Sequence, residues 1–139
     1  MKKYLLGVLL ILIPFFSIDA ASLSVSLKCA KTVVKAGDTV SCTVSATTND
    51  LVGIQFSYDL DGVTYSSFTT SYNFDTKNAN SNGVNVGHSQ GLPSSLTIGT
   101  LKVKVPSSAS AGDTFKVTLS DVRGSDSNFN DIKISDVSA

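Results

Sequence analysis

Oxygen-bearing side chains alternate along residues 126–130, which read Asp, Ser, Asn, Phe and Asn. Calcium loops place carboxylate and amide oxygens at every second position of a tight turn, so Asp126, Asn128 and Asn130 match the first half of such a loop. The second half does not match, because position six is an aspartate rather than a glycine and position twelve is a valine rather than a bidentate glutamate. The segment therefore predicts an ordinary turn and no cofactor, with a loose calcium site as the alternative.

Two carboxylates and a histidine are the groups that could serve catalysis. Asp59 and Asp61 flank a leucine ahead of a glycine, and His88 is the only histidine. Glycoside hydrolysis needs two carboxyl groups across a cleft, one with a raised pKa, and nothing in the sequence supplies a cleft or an apolar pocket around either aspartate. No nucleophile-elbow motif accompanies the histidine. We therefore predict that the protein is not an enzyme, that the aspartates satisfy backbone donors at a turn, and that His88 ends a strand.

The two cysteines, Cys29 and Cys42, each continue a row of apolar residues at every second position. They lie almost symmetrically about Ala36-Gly37, so a hairpin turning there would bring them together. No Cys-x-x-Cys motif or histidine cluster indicates a redox or metal role. The pattern predicts a structural disulfide bond, and two free buried thiols are the alternative.

Aromatic residues are concentrated in one asparagine-rich part of the chain. Tyr65, Tyr72 and Asn73 could form a surface platform, because sugars stack their C–H faces on aromatic rings while amides bind the hydroxyl groups. The competing interpretation is that these rings cover the core beneath a long loop, and the absence of tryptophan favours it. The aromatic residues concerned are Tyr65, Phe68, Tyr72 and Phe74.

The tetrapeptide Ala-Gly-Asp-Thr occurs at residues 36–39 and 111–114, and an alternating apolar run follows each copy. Glycine adopts backbone conformations closed to other residues, and aspartate hydrogen-bonds the local backbone. Apolar side chains at every second position are typical of a half-buried strand. Each copy is therefore predicted to form a hairpin corner in a two-layer β structure.

Segments with strand character follow one another without helical periodicity. They predict an all-β fold, an antiparallel β-sandwich with jelly-roll topology and about nine strands. Phase slips predict β-bulges near Gly99 and Val122. Residues 70–83 are predicted to be an exposed connection with Asn82-Gly83 as a turn. The predicted strands are residues 22–29, 32–35, 38–46, 53–59, 63–69, 83–88, 95–105, 114–122 and 131–137.

The first residues have the layout of a secretory signal peptide, with two lysines, an apolar run, and small residues at Ala20 and Ala21. We predict a signal peptide at residues 1–20 and one domain at residues 21–139, secreted or at the cell surface. A retained N-terminal anchor is the alternative. Residues 21–139 contain no second apolar segment long enough to span a membrane. Their charge balance is nearly neutral, so we expect no electrostatic attraction to nucleic acid or to an anionic membrane.

Three segments carry a resemblance to a known family. They are residues 34–40 (Val-Lys-Ala-Gly-Asp-Thr-Val), 53–59 (Gly-Ile-Gln-Phe-Ser-Tyr-Asp) and 98–105 (Ile-Gly-Thr-Leu-Lys-Val-Lys-Val). Together with the turn at residues 111–113 and two closing strands, they resemble cohesins, the sandwich modules of cellulosome scaffoldins and bacterial surface proteins. The resemblance covers nearly all of residues 21–139, and related carbohydrate-binding modules share the same corners and bulges.

The resemblance implies a non-catalytic attachment module in a polysaccharide-degrading or cell-surface assembly. Cohesins hold a dockerin on one sheet face, which implies a dockerin-like protein partner on outward residues such as Gln55 and Ser57. Many dockerin-binding cohesins carry polar side chains at the start of that strand, where this chain has Leu51 and Gly53. A polysaccharide-binding module that uses the segment around Tyr72 and a passive spacer of a surface protein are the alternatives.

Overall fold

The computed structural model describes residues 21–139. The predicted signal peptide, residues 1–20, lies outside the described residues. Residues 21–139 form ten β-strands, and no helix in that range is long and apolar enough to cross a membrane. The strands are β1 (Ser22–Cys29), β2 (Thr39–Asn49), β3 (Gly53–Asp61), β4 (Thr64–Thr70), β5 (Thr76–Ala79), β6 (Gly83–Gly87), β7 (Ser95–Lys104), β8 (Lys116–Ser125), β9 (Asp131–Ile134) and β10 (Val137–Ser138).

The strands form two antiparallel sheets that face each other across the core. The first sheet has four strands in the order β1-β2-β7-β4. The second has six strands in the order β10-β8-β3-β6-β5, with β9 also paired to β8. Strands distant in the chain pair in both sheets, as β2 does with β7 and β3 does with β8. This arrangement confirms the predicted antiparallel β-sandwich, and the repeated passage of the chain between the sheets is typical of a jelly roll.

Alternation of apolar and polar residues places one side of each strand in the core. In β2, Val40, Cys42, Val44 and Ala46 are buried, while the residues between them lie on the outer side. Successive side chains of a strand point to opposite faces, so a period of two puts all four on the inner face. Each fully buried valine or leucine contributes about 1.5–3 kcal/mol to the free energy of folding.

Two β-bulges interrupt the regular pairing. In β7 the register against β2 shifts beside Gly99, and Ile98 and Gly99 are both buried although they are consecutive. In β8, Asp121 and Val122 together face a single residue of β3, and Asp121 has a φ of 50°. The bulges predicted from the phase slips are therefore confirmed at both places.

Both Ala-Gly-Asp-Thr copies form turns with the predicted chemistry. Gly37 and Gly112 have φ values of 84° and 91°, a region that favours glycine. In each copy the aspartate carboxylate accepts, at 2.9 Å, the backbone N–H of the residue three positions earlier. The first copy lies in the β1–β2 hairpin, as predicted. The second connects β7 to β8 in the other sheet, so the predicted second hairpin corner is wrong: turn chemistry specifies a turn but not the sheet that follows it.

Three strand assignments differ from the predictions. Residues 32–35 form no strand, although their β-branched side chains favour one. No strand within residues 21–139 pairs with this segment, and Val33 is 86% exposed. Residues 76–79 form the edge strand β5 inside the predicted connection. Residues 131–137 are divided between β9 and β10. The turn lies one residue earlier than predicted: Ser81 and Asn82 connect β5 to β6, while Gly83, whose carbonyl accepts the N–H of Asn80 at 3.0 Å, is the first residue of β6.

Cys29 and Cys42 form the predicted disulfide bond. They stand directly opposite each other in the β1–β2 register, at the end of that pairing. Cys42 is fully buried and Cys29 is partly exposed. The bond therefore closes the loop of the β1–β2 hairpin, at the end that carries the first glycine corner.

Candidate functional site

The outer side of the six-stranded sheet carries polar side chains on its middle strands, and we call it the six-stranded face. Its residues alternate with buried ones, so that Gln55 lies between the core residues Ile54 and Phe56. β3 and β6 are each paired on both sides and place this surface at the centre of the sheet. The side chains on this face include Gln55, Ser57 and Asp59 of β3, Thr118, Ser120 and Arg123 of β8, Asn85 of β6, and Asn78 of β5.

The bulge in β8 assembles an ion network on this face. The Arg123 Nε donates to the Asp121 Oδ1 at 2.9 Å, and its Nη1 donates to the Asp131 Oδ2 at 3.4 Å. The Lys133 Nζ lies 3.7 Å from the Asp121 Oδ1. The hydrogen bond from Arg123 is the main reason that the pKa of Asp121 lies below its ordinary value. The carboxylate therefore remains ionised at neutral pH beside a guanidinium whose orientation is fixed.

A shallow cavity of about 250 Å³ lies beside this network, over β3, β5 and β6. Its lining includes Gln55, Ser57, Asn80, Asn85 and Asp121. The Asn80 side chain is held by the turn, since its Oδ1 accepts a backbone N–H at 2.8 Å. Amide and hydroxyl groups around one carboxylate can hydrogen-bond a partner surface, and they provide no nucleophile paired with a base.

The predicted contact residues Gln55 and Ser57 lie on this face, and their role in binding stays a prediction. Leu51, in contrast, is not an outward residue at the start of the strand. It precedes β3 and is 1% exposed in the core. Counting back by twos from Gly53 placed it outward, but residue 51 precedes β3, so the alternation of that strand does not extend to it. Gly53, the first residue of β3, is outward as predicted.

Tyr65 does not belong to an exposed platform. It lies near the start of β4, and its ring stacks on that of Tyr58 of β3 with centroids 5.6 Å apart. Both rings pack against the buried cluster that contains Cys42 and Leu101. The ring therefore helps to close one end of the sandwich, as the alternative interpretation predicted.

Tyr72 also packs on other rings rather than presenting a free face. Its centroid lies 5.2 Å from that of Phe74 and 5.8 Å from that of His88. Phe74 is 4% exposed, so the segment after β4 covers the core. Asn73 is exposed between the two rings. Tyr65, Tyr72 and Asn73 therefore do not form a single surface, because Tyr65 lies at the start of β4 and Tyr72 lies beyond its other end.

The loop at residues 126–130 is an aspartate-capped turn. The Asp126 Oδ1 accepts the backbone N–H groups of Asn128 and Asn130, both at 2.9 Å. The N–H of Asn130 is the main cause that lowers the pKa of Asp126 below its ordinary value. Within residues 21–139, no three His, Cys, Asp or Glu side chains could hold a metal ion together. The Asp126 Oδ1 therefore serves the backbone, as the predicted turn chemistry requires.

The remaining candidates are separate from one another. Asp59 and Asp61 lie on the outer side of β3, opposite Thr118 and Lys116, and not in a turn as predicted. Aspartates do cap turns in the two Ala-Gly-Asp-Thr copies and at Asp126. His88 directly follows β6, and its backbone N–H donates to the Val52 carbonyl at 2.8 Å, so it ends a strand as predicted.

Two features of this region escaped the sequence reasoning. The Asp121–Arg123 pair follows from the bulge, and the phase slip before Val122 was its signal. Phe129 is 82% exposed at the tip of the loop between β8 and β9. The sequence signal for this exposure was an aromatic residue surrounded by Ser, Asn and Asp. Phe129 does not continue the apolar alternation of β8 or of β9.

The fold is similar to solved cohesin structures. A non-cellulosomal cohesin from the hyperthermophilic archaeon Archaeoglobus fulgidus has a TM-score of 0.57 and 14% identity, over 83% of this chain and 88% of that chain. A chain of a type I cohesin–dockerin complex from Clostridium thermocellum has a TM-score of 0.58 and 12% identity, over 83% of this chain and 96% of that chain. A type III cohesin from a cell-surface anchoring scaffoldin of Ruminococcus flavefaciens has a TM-score of 0.53 and 15% identity, over 99% and 94%.

Sequence comparison adds no closer relationship. No protein-family model matches the chain, and no curated protein matches it. The identities to the solved cohesins are low, so the similarity is one of fold. The two sheets, the corners and the coverage of nearly the whole of those modules agree with the resemblance carried by residues 34–40, 53–59 and 98–105. The described part of this chain has a cohesin-like fold.

Proposed function

We propose that this protein is a non-catalytic docking module that binds a dockerin-type protein through its six-stranded face. The observation that carries the proposal is the structural match to 96% of a chain from a cohesin–dockerin complex. The match extends across both sheets rather than a shared hairpin. A fold can host several functions, so the face itself must also suit a protein partner.

The composition of the six-stranded face supports a contact surface. Asn, Asp and Gly are depleted in strands, yet Asn78, Asn85 and Asp59 occupy outward strand positions here. Residues of these types at such positions weaken the strands that carry them, which favours a role beyond stability. Arg123 is already held by two carboxylates, so less side-chain entropy is lost when a partner binds. An arginine and amides around a shallow cavity can specify the position of a partner.

Export and membership of a polysaccharide-degrading or cell-surface assembly belong to the same proposal. The signal-peptide layout of residues 1–20 supports export, and so does the disulfide, because disulfides persist in oxidising compartments. Mass spectrometry of protein recovered from culture medium tests this step. A chain that begins at Ala21 supports export. A chain that stays in the cytoplasm with Met1 and two free thiols contradicts it.

Binding can be measured by titration calorimetry of residues 21–139 against purified type I, type II and type III dockerins. Asn85→Arg places a long charged side chain at the centre of the six-stranded face, and we expect it to weaken binding at least about tenfold by steric and charge mismatch. Thr43→Arg is the matched control, because Thr43 is exposed on the central strand β2 of the opposite face. It should leave affinity within about twofold.

Three outcomes decide the proposal. Binding that falls only with Asn85→Arg supports docking on the six-stranded face. Equal effects of the two variants, or loss only with Thr43→Arg, contradict that location. Failure of all three dockerin types to bind contradicts a dockerin-type partner and favours a passive spacer, provided that circular dichroism shows the folded sandwich in every sample.

A further inference from the structure

Two glycines form a bare strip across the six-stranded sheet. Gly53 of β3 and Gly87 of β6 stand directly opposite each other, both with their outer side free of a side chain. In the same row, Ser125 flanks Gly53 and Thr76 flanks Gly87. A Cβ on Gly87 would lie 3.0 Å from the Val52 carbonyl oxygen. The strip is the floor of a cleft of about 250 Å³, which we call the glycine cleft.

One wall of the glycine cleft is the ring of Phe129. This ring is 82% exposed, and its residue has a φ of 64°, a region that bulky side chains rarely adopt. The Phe129 N–H donates to the Asp126 carbonyl at 2.9 Å, and the Asp126 carboxylate holds the residues on either side. The loop therefore holds Phe129 in an unfavourable backbone conformation while its apolar ring is exposed to solvent. Such strain persists where the surroundings over-determine it and is concentrated at binding sites.

The opposite wall is polar and pre-organised. The Asp75 Oδ2 accepts both the backbone N–H and the hydroxyl of Ser89, at 2.9 Å and 2.8 Å. The backbone N–H of Ser89 is the main cause that lowers the pKa of Asp75, so this carboxylate is ionised at neutral pH. Asn85 and His88 also line the cleft. A carboxylate, an amide and hydroxyls thus face an aromatic ring across a floor of bare backbone.

We propose that the glycine cleft binds one sugar residue of a polysaccharide. The sugar lies on the bare strip, its C–H face against Phe129 and its hydroxyls toward Asp75 and Asn85. This ligand class fits better than a peptide, because β3 and β6 are each paired on both sides and have no edge for strand addition. The cleft also lacks an enclosed apolar pocket for an anchoring side chain, since its floor is backbone. The site goes beyond the docking proposal and does not depend on it.

Amide chemical-shift titration of ¹⁵N-labelled residues 21–139 tests the site directly. The probes are cellohexaose, xylohexaose and mannohexaose. With at least one of them we expect shifts that begin at Gly53, Gly87 and the loop at residues 126–130. Phe129→Ala should weaken that binding about fivefold or more, because one stacking contact is lost. Phe129→Tyr keeps the ring and should keep the affinity.

Val33→Ala is the control, because Val33 is the other large apolar side chain that is exposed among residues 21–139 and it lies outside the cleft. It should leave the saccharide affinity unchanged. Melting temperatures separate a binding defect from unfolding, and Asn85→Ala is a second cleft variant should Phe129→Ala fold poorly. The proposal is overturned if none of the three saccharides shifts the cleft amides, or if Val33→Ala weakens binding as much as Phe129→Ala. It is also overturned if Phe129→Ala reduces only dockerin affinity, which would assign the ring to docking.

Discussion

The outer faces of the two sheets differ in composition although they cover the same core. The face of the four-stranded sheet carries hydroxyls and lysines, and none of its outward side chains on β1, β2, β4 and β7 is acidic. The six-stranded face carries amides, carboxylates, an arginine and two bare glycines. The outward residues of the four-stranded sheet include Ser24, Ser26, Lys28, Thr39, Ser41, Thr43, Ser45, Thr47, Thr64, Thr69, Thr97, Thr100, Lys102 and Lys104.

This difference separates strand stability from recognition. Threonine is β-branched and favours the extended backbone, so a threonine-rich outer face satisfies the strand and needs no partner to explain it. Asparagine, aspartate and glycine do not favour strands. Strand stability does not explain their presence on the middle strands β3 and β6, so a role in recognition is the better explanation.

The two bulges show the same contrast. In β7 the bulge turns Ile98 and Gly99 inward, where a Cβ on Gly99 would collide with the Thr69 carbonyl oxygen, so the bulge serves packing. In β8 the bulge turns Asp121 outward, within hydrogen-bonding distance of Arg123. One irregularity fits a strand to its neighbours, and the other places charges on a surface.

The largest expected effect concerns the four-stranded sheet. Cys42→Ser should lower the free energy of unfolding by about 4 kcal/mol, of which about 3 kcal/mol is the lost constraint on the unfolded chain. The remainder is the cost of burying a hydroxyl where Cys42 is fully buried. Urea denaturation of the oxidised protein and of the variant measures the difference.

Cys29→Ser is the matched control, because it removes the same bond at a partly exposed position. It should cost about 3 kcal/mol. Ligand binding by the six-stranded face should be unchanged in both variants at temperatures where they are folded. Loss of binding in the folded variants would show that the two faces are coupled and would break the comparison.

A smaller effect is expected between the sheets. The hydroxyl of Tyr58 is buried and has no hydrogen-bond partner among residues 21–139, and its burial raises the pKa of the group. An unpaired buried hydroxyl destabilises the folded state, so Tyr58→Phe should raise the free energy of unfolding by about 1 kcal/mol. Tyr65→Phe, which changes the ring stacked on it, should alter stability by less than about 0.5 kcal/mol. A destabilised Tyr58→Phe would mean that a water satisfies the hydroxyl.

Features that depend on local pattern were predictable from the sequence. The disulfide followed from the parity of Cys29 and Cys42, and the turns followed from glycine and aspartate at residues 36–39 and 111–114. The bulges followed from apolar residues that change parity. Each of these signals lies within one hairpin, one turn or one strand, the range over which strand period and turn chemistry act.

Features that depend on distant neighbours were not predictable. β5 has almost no apolar residue, because it is an edge strand that pairs with β6 alone, so periodicity missed it. Residues 32–35 have strand propensity but no partner strand. The rings of Tyr65 and Tyr72 were assigned to one platform because their separation across β4 is visible only in the fold. The glycine cleft is lined by residues from four separate segments of the chain, so no local sequence pattern predicts it.

The smallest expected effect is a pH dependence confined to the six-stranded side. The pKa of Asp121 is lowered chiefly by Arg123, and that of Asp126 by the N–H of Asn130. A carboxyl group whose folded pKa is below its unfolded value, about 3.9, stabilises the folded state above that value. The contribution is lost as the pH falls through the lowered folded pKa. The outward residues of the four-stranded sheet have no carboxylate that could act in the same way.

Melting temperatures of the wild type, Asp121→Asn and Asp126→Asn between about pH 7 and about pH 2 test this dependence. At neutral pH both variants should melt slightly below the wild type, because they have lost a charge-assisted acceptor. The gap should close as the pH falls, since the wild-type carboxyl groups then become protonated as well. Asp136→Asn, at an exposed aspartate between β9 and β10, is the control and should melt with the wild type throughout. A gap that stays constant down to about pH 2 would show that the substitutions disturb the turn or the bulge sterically. The charges on the six-stranded face would then contribute nothing to its stability, and the electrostatic half of the comparison between the two faces would fail.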